Sequence, residues 1–248
     1  MRLFPTQIST FIILISFWTT GIEAQTLPLL KDEQTIVFGA VVFPPTTYID
    51  KESGECIGRG ISLTKQIFEN ANITIKVICA PAARIYKLLE LGAVDLTINV
   101  KSTEALQNIV QFIDHPVGQL NIGIYKHADM ASAKSVAAIR GFDYHGVRAL
   151  LEDRAHTFFD VPSATDAITL FLRRRTSHLV SYVGPFNAFI ASSDFEMPLS
   201  LSIEYIGKAN TYYAVSTASD NVAIVTDILE AYVDSVDGKY LLDNATNN

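Results

Sequence analysis

Among the candidate binding residues of this sequence, Arg84 has the side chain with the most specific binding chemistry. It follows Ala82 and Ala83 at the start of an apolar helical stretch and has no acidic residue beside it. A guanidinium group presents a fork of N–H donors that matches a carboxylate or a phosphate. Arg84 therefore predicts a contact with an anion, and the alternative is a structural ion pair with an acid elsewhere in the chain.

A second candidate anion site lies at the start of a predicted helix, at Ser163 and Thr165. The free N–H groups at a helix N-terminus bind anions. Asp166 follows Ser163 by three residues, which is a variant of the capping box, so a plain helix cap explains the same pattern. Both interpretations stay open.

Polar side chains also follow a short apolar strand at Leu96–Val100. They are Asn99, Lys101, Ser102 and Thr103. Ser or Thr followed by Glu104 is typical of an ordinary cap between a strand and a helix. A ligand-binding role is the alternative, and it depends on the fold.

Several classes of function find no support in the sequence. The five histidines show no spacing typical of metal ligands, and no C-x-x-C motif is present. No nucleophile–base pair has a recognisable spacing. The net charge is −7 and the basic residues cluster only at Arg173–Arg175, which argues against nucleic-acid binding. We therefore expect a protein that is not an enzyme and that uses no metal or cofactor.

The N-terminus has the pattern of a secretory signal peptide at residues 1–24. Arg2 precedes the apolar run ISTFIILISFW at residues 8–18, and TTGIEA ends in the small residue Ala24. An uncleaved anchor helix is the alternative. Export would place Cys56 and Cys79, the two cysteines of the chain, in an oxidising compartment. A disulfide between them is the favoured prediction, and two buried free thiols are the alternative.

Apolar periodicity predicts alternating strands and helices. Strands are predicted at 35–43, 73–80, 96–100, 121–126, 157–161, 178–183 and 212–217, and helices at 61–70, 82–91, 163–173 and 222–233. Residues 135–142 are predicted to form a short helical turn. This alternation indicates βαβ units, an α/β fold and mostly parallel sheets.

The order of short motifs resembles that of the extracytoplasmic solute-binding proteins of family 3, which serve amino acids and related polar solutes. The motifs that carry the resemblance are Phe43-Pro44-Pro45, Gly58-x-Gly60-Ile61-x-Leu63, Pro81-x-x-Arg84, Leu89-x-x-Gly92-x-x-Asp95, Ser102-Thr103-Glu104, Phe112-Ile113-Asp114-His115-Pro116 and Asp237-Gly238-Lys239-Tyr240. They extend over nearly the whole mature chain.

The resemblance implies a two-lobed, venus-flytrap architecture of the type II periplasmic-binding-protein-like class, with a mostly parallel sheet in each lobe. Residues 25–119 with 208–248 would form lobe 1, and residues 120–207 would form lobe 2. A ligand would lie in the crevice between the lobes, at the carboxyl ends of the strands. The implied ligand contacts are Phe43, Arg84, Asn99, Lys101, Ser102, Thr103, Ser163, Thr165 and Tyr182. For Phe43, packing between the lobes is the alternative.

One departure from the family pattern bears on the ligand. Amino-acid binders of this family hold the α-carboxylate with an arginine about three residues after the strand-end threonine, and Leu106 occupies that position here. The region 177–184, where an acid would hold the α-ammonium group, contains no acid. Because leucine cannot form a charged bidentate contact, a standard amino acid is not the expected ligand.

The resemblance implies a periplasmic receptor that captures a small polar solute and delivers it to the permease of an ABC importer. A monomer is the default expectation for its oligomeric state. A periplasmic sensory partner protein is the first alternative, and a dehydratase-like enzyme on the same scaffold is the second. The sequence does not distinguish a transporter partner from a sensor partner.

Overall fold

The computed structural model describes residues 34–130, 132–193, 195 and 200–243. The signal peptide predicted at residues 1–24 lies outside this range. Within it, no helix is both long and apolar enough to cross a membrane.

The described chain forms an eight-stranded sheet, a two-stranded hairpin and six α-helices. In chain order the elements are β1 Thr35–Val41, β2 Tyr48–Ile49, β3 Cys56–Ile57, α1 Arg59–Asn70, β4 Thr74–Ala80, α2 Ala82–Glu90, β5 Leu96–Val100, β6 Val110–His127, β7 Ser135–Ile139, α3 Val147–Asp153, β8 Thr157–Val161, α4 Ala164–Leu172, β9 His178–Tyr182, α5 Val183–Ser192, β10 Leu201–Ser216 and α6 Val222–Ser235.

The order of the large sheet is β4-β1-β5-β10-β6-β9-β7-β8. Strand β1 pairs in parallel with β4 and β5, and β7 pairs in parallel with β8 and β9. These two groups of three strands are called the first half and the second half below. The long antiparallel strands β6 and β10 run between them. The α/β fold class predicted from the sequence is confirmed.

Helices cover both faces of the first half. Leu63 and Ile67 of α1 pack on one face of β1 with residues of α6, whereas Ile85 and Leu89 of α2 pack on the other face. In the second half, α3, α4 and α5 enclose a third core around Val136, Phe171 and Leu179. This packing buries the parallel strands and leaves their carboxyl ends free to line a site.

Asp95 ties the first half to the start of α6. Its carboxylate is buried and accepts hydrogen bonds from the backbone N–H of Val37 and from the side chains of Ser219 and Asn221. The aspartate of the Leu89-x-x-Gly92-x-x-Asp95 motif is therefore structural.

One prediction of local structure was wrong, and one correctly predicted strand proved longer than expected. Residues 135–142 were predicted as a helical turn, yet Ser135–Ile139 is strand β7 at the centre of the second half. The strand predicted at 212–217 is only the end of β10, which begins at Leu201. Pairing with neighbouring strands determines both segments, and periodicity in a short apolar run does not report pairing.

Candidate functional site

A cavity of about 460 Å³ opens at the carboxyl ends of β1, β5 and β9. It is called the first cavity. Its lining includes Phe43, Thr46, Thr47, Arg59, Gly60, Asn99, Phe142 and Tyr182. Both halves of the sheet contribute, and the site agrees with the general position of ligands in open α/β sheets.

The loop after β1 forms one wall of the first cavity. Phe43 and Thr47 exchange backbone hydrogen bonds of 2.8 and 3.1 Å, which closes the five-residue loop. Gly58 makes the packing of this loop possible, because a Cβ atom at that position would lie 2.0 Å from the carbonyl oxygen of Thr46. The glycine before α1 is therefore required by a close backbone approach.

Phe43 contacts the second half as well as the first cavity. Its ring meets Tyr182 edge-on, with a centroid distance of 5.3 Å, and Tyr182 also contacts Phe142 and Tyr144. Pro45 lies close to Gly184, since a Cβ atom on that glycine would be 3.4 Å from the proline Cδ. Phe43 therefore packs between the two halves and also lines the first cavity. Packing between the lobes and ligand contact, the two roles considered from the sequence, are both compatible with this position.

Tyr182 presents a neutral hydroxyl to the site. The residue is 3% exposed and lines the first cavity, and its hydroxyl has no hydrogen-bond partner among the described residues. Burial raises the pKa of this hydroxyl, and the neighbouring Tyr144, Tyr86 and Asp143 raise it further. The hydroxyl therefore remains protonated at neutral pH and can donate to a ligand.

Asn99 lines the first cavity, but most of its polar atoms are used internally. Its Nδ2 donates to the Tyr86 hydroxyl at 2.9 Å, and its Oδ1 accepts from Thr103 and from the backbone N–H of Val100. Burial raises the pKa of Tyr86 to about 12. This network fixes the end of β5 against α2, so Thr103 supports the site without lining it.

Arg59 is a lining residue that the sequence-based site does not include. It is the first residue of α1, and its Nη2 donates to the carbonyl oxygen of Leu242 at 2.8 Å. The signal that could have identified it is an arginine between two glycines at the start of a helix, in Gly58-Arg59-Gly60. In this pattern the residues on both sides of the long cationic side chain have no side chains of their own that could obstruct it.

Two further predicted residues, Lys101 and Ser102, line a separate cavity of about 550 Å³, called the second cavity. It shares Val100 and Gln119 with the first cavity. Lys101 forms an ion pair with Asp114 at 2.7 Å and lies over the ring of Tyr212. The hydroxyl of Ser102 is buried and has no partner within the described residues.

Besides Thr103, three predicted contacts lie outside both cavities. Arg84 is exposed on α2 and forms no ion pair within the described residues. Ser163 accepts a hydrogen bond from the N–H of Asp166 and donates to its carboxylate at 2.6 Å. Thr165 is exposed. The hydroxyl of Ser163 is thus engaged as a helix cap, the alternative that the capping-box spacing indicated.

Leu106 is part of the core. It is fully buried beside α2, in a cluster with Ile85, Leu89 and Val94, and it lines neither cavity. The position that holds an arginine in amino-acid binders of the resembling family is therefore a packing position here.

Cys56 and Cys79 form a disulfide, so this prediction is confirmed. The bond joins β3 to β4, and β3 ends just before Gly58 and Arg59. It thereby anchors the segment that leads into the first cavity. Within the described residues, no group of three or more His, Cys, Asp or Glu side chains could hold a metal ion.

Solved structures with a similar fold include a sensor domain and two solute-binding proteins. One is a histidine kinase sensor domain with similarity to periplasmic binding proteins, at 20% identity and a TM-score of 0.68 over 83% of this chain and 93% of that chain. Another is an ancestral arginine-binding protein bound to arginine, at 18% identity and 0.65 over 86% and 98%. A third is the substrate-binding protein of an amino acid ABC transporter, at 17% identity and 0.65 over 86% and 100%.

No protein-family model and no curated protein sequence matches the chain. The structural similarity nevertheless assigns the protein to the class with a two-lobed, periplasmic-binding-protein-like fold. At these identities the similarity establishes the fold and not the ligand.

Proposed function

We propose that this protein is an exported solute-binding receptor that captures a small polar solute in the first cavity. The observation that carries the proposal is this cavity, which lies at the carboxyl ends of strands from both halves and is lined by the contacting rings of Phe43 and Tyr182. Such cavities of a few hundred Å³ with few polar groups are typical ligand sites. The role requires no catalytic group.

We place lobe 1 at residues 25–119 with 208–248 and lobe 2 at residues 120–207. The ligand would lie between them, and closure would be a hinge motion at β6 and β10. In this proposal Phe43, Asn99 and Tyr182 line the ligand directly, whereas Lys101 and Ser102 face the adjoining second cavity. The protein would act as a monomer in the periplasm and deliver its solute to an ABC-transporter permease.

A sensory role is the second candidate function. The similarity to a histidine kinase sensor domain supports it, since a closed two-lobed domain can contact a receptor as readily as a permease. Neighbouring genes for permease and ATPase subunits would favour transport, and a neighbouring sensor kinase gene would favour sensing.

Thermal unfolding of the purified protein against a panel of solutes tests the binding role. The panel holds amino acids, opines, polyamines, carboxylates, aromatic compounds and short peptides. A ligand at 100 times its dissociation constant adds about 2.7 kcal/mol to the free energy of unfolding, which raises the melting temperature by roughly 5–10 °C.

Two variants connect any shift to the first cavity. Phe43→Ala should reduce the ligand-induced shift, because the ring lines the cavity. Phe159→Ala is the matched control, since that ring lies on β8 and is 48% exposed. A panel that gives no shift, or a shift equally large in Phe43→Ala, would contradict the proposed function.

A further inference from the structure

The described lining of the first cavity carries only positive charge. Arg59 is the one charged side chain among its described lining residues, and the lining contains no Asp or Glu. Asp143 influences Tyr182 from outside the lining, but its carboxylate accepts a 2.6 Å hydrogen bond from the N–H of Gly146. An ammonium group in this cavity would therefore find no carboxylate partner among the described lining residues, and burying it unpaired would be costly.

The guanidinium of Arg59 is anchored but not neutralised. One N–H donates to the carbonyl oxygen of Leu242, and no ion pair with a described acid is present. A guanidinium has five N–H donors, so most of them remain for a ligand. The anchor limits the motion of the side chain, which lowers the entropy lost on binding.

Further donors lie beside Arg59. The contact between Gly58 and the Thr46 carbonyl brings the loop of Thr46 and Thr47 next to the start of α1. Both threonine hydroxyls are without hydrogen bonds among the described residues, and both residues line the first cavity. Gly60 also lines it, at a helix end that has no side-chain cap. This end of the cavity therefore offers a cation and several donors to a ligand.

The remaining lining residues are mainly apolar. Phe43, Phe142 and Tyr182 form an aromatic group, and the Tyr182 hydroxyl is the one donor within it. Aromatic rings arranged in this way favour a flat apolar body. The cavity thus combines a cationic end with an apolar wall.

We propose that the first cavity selects a monocarboxylate with an apolar body, with its carboxylate at Arg59 and its body against Phe43 and Tyr182. The proposal rests on the solute-binding function above. One arginine balances one negative charge, so a carboxylate fits this end better than a phosphate dianion. Zwitterionic amino acids and amines are excluded because their ammonium group would be unpaired.

Four compounds that share a phenyl ring but differ in the head group test this selectivity. They are 3-phenylpropanoate, phenylalanine, phenethylamine and 3-phenylpropanol. Titration calorimetry with the purified full-length protein should show the tightest binding for 3-phenylpropanoate. Phenylalanine and phenethylamine should bind at least tenfold more weakly.

Arg59→Gln should weaken 3-phenylpropanoate binding by about tenfold or more while leaving 3-phenylpropanol unaffected, since a charge-assisted contact is lost. Arg59→Lys retains the charge without the fork and should give an intermediate loss. Arg84→Gln is the matched control, because Arg84 is exposed and lines neither cavity. Circular dichroism checks that each variant is folded.

The outcomes separate the two proposals. Tighter binding of phenylalanine or phenethylamine than of 3-phenylpropanoate, or an unchanged affinity in Arg59→Gln, would overturn the carboxylate proposal and leave the receptor function intact. If none of the four compounds binds and the wider solute panel also gives no melting shift, both proposals fail.

Discussion

In the first half of the sheet β1 lies between β4 and β5, and in the second half β7 lies between β8 and β9, with parallel pairing in each. The strand ends reach the same cavity but bring different side chains to it. The first half contributes Arg59 and threonine hydroxyls, whereas the second contributes Phe142 and Tyr182. Strand order therefore determines where the site lies, and the segments after the strands determine its chemistry.

The helix starts of the two halves differ in the same way. Helix α1 follows Gly58 and has no side-chain cap, and its first residues line the first cavity. Helix α4 follows Ser163, whose hydroxyl is bonded to Asp166 at the same helix end. A helix N-terminus offers its N–H groups to a ligand only where its own side chains do not occupy them.

The largest effect is expected from introducing, at position 106, the arginine that amino-acid binders of the resembling family carry. Leu106→Arg should lower the free energy of unfolding by about 3–5 kcal/mol, because a charge without a partner would enter a fully buried position. It should confer no stabilisation by amino acids. Chemical denaturation measures the loss, and Leu91→Arg is the control, since Leu91 is 63% exposed. A well-folded Leu106→Arg variant stabilised by an amino acid would contradict the packing role.

The disulfide distinguishes the first half from the second. Replacing both Cys56 and Cys79 by serine should lower the free energy of unfolding by roughly 3 kcal/mol, because the unfolded chain loses a constraint. The corresponding fall in melting temperature is roughly 6–12 °C. Reduction of the wild-type protein with dithiothreitol should reproduce it, and a reduced protein of unchanged stability would contradict the prediction.

The cap of α4 gives a smaller effect. Ser163→Ala should lower the free energy of unfolding by about 1 kcal/mol without changing ligand affinity, since Ser163 caps the helix and lines neither cavity. Thr165→Ala, at an exposed neighbouring position, is the control. Loss of ligand affinity in the Ser163 variant at unchanged stability would instead support the anion-binding interpretation of this helix start.

A pH-dependent effect is expected at the amino end of β9. Burial lowers the pKa of His178, and nearby His156, Lys126 and His127 lower it further. The unfolded chain therefore binds a proton more readily, so stability falls as the pH drops below about 6.5. His178→Gln should flatten this fall between pH 7 and pH 5, whereas the exposed His145→Asn should not. A steeper fall in the His178 variant would contradict the assignment.

Local sequence patterns were sufficient to predict the secondary structure of some parts of the molecule. Apolar periodicity identified β1, β4 and β5 with the helices between them, because each element buries one face within a short βαβ unit. The centre of the second half was missed, since Ser135–Ile139 is a strand only through its partners β8 and β9. Long-range pairing also extends β6 and β10 far beyond their predicted cores.

The candidate site could likewise be predicted only in part, because local patterns do not report long-range contacts. Phe43, Asn99 and Tyr182 were selected as strand-end residues, and all three line the first cavity. The local pattern Gly58-Arg59-Gly60 could have pointed to Arg59, but the approach of the Thr46 loop to Gly58 at this end of the cavity is a long-range contact that the pattern does not report. Arg84 was selected for its chemistry, but the fold leaves it exposed and away from both cavities.

The crystal structure of the protein with bound 3-phenylpropanoate would test the central claim most directly, because it shows which cavity holds a solute. The predicted result is a carboxylate within hydrogen-bond distance of Arg59 and a phenyl ring packed against the contacting rings of Phe43 and Tyr182. Density for the ligand in the second cavity beside Lys101, with the first cavity empty, would contradict this account.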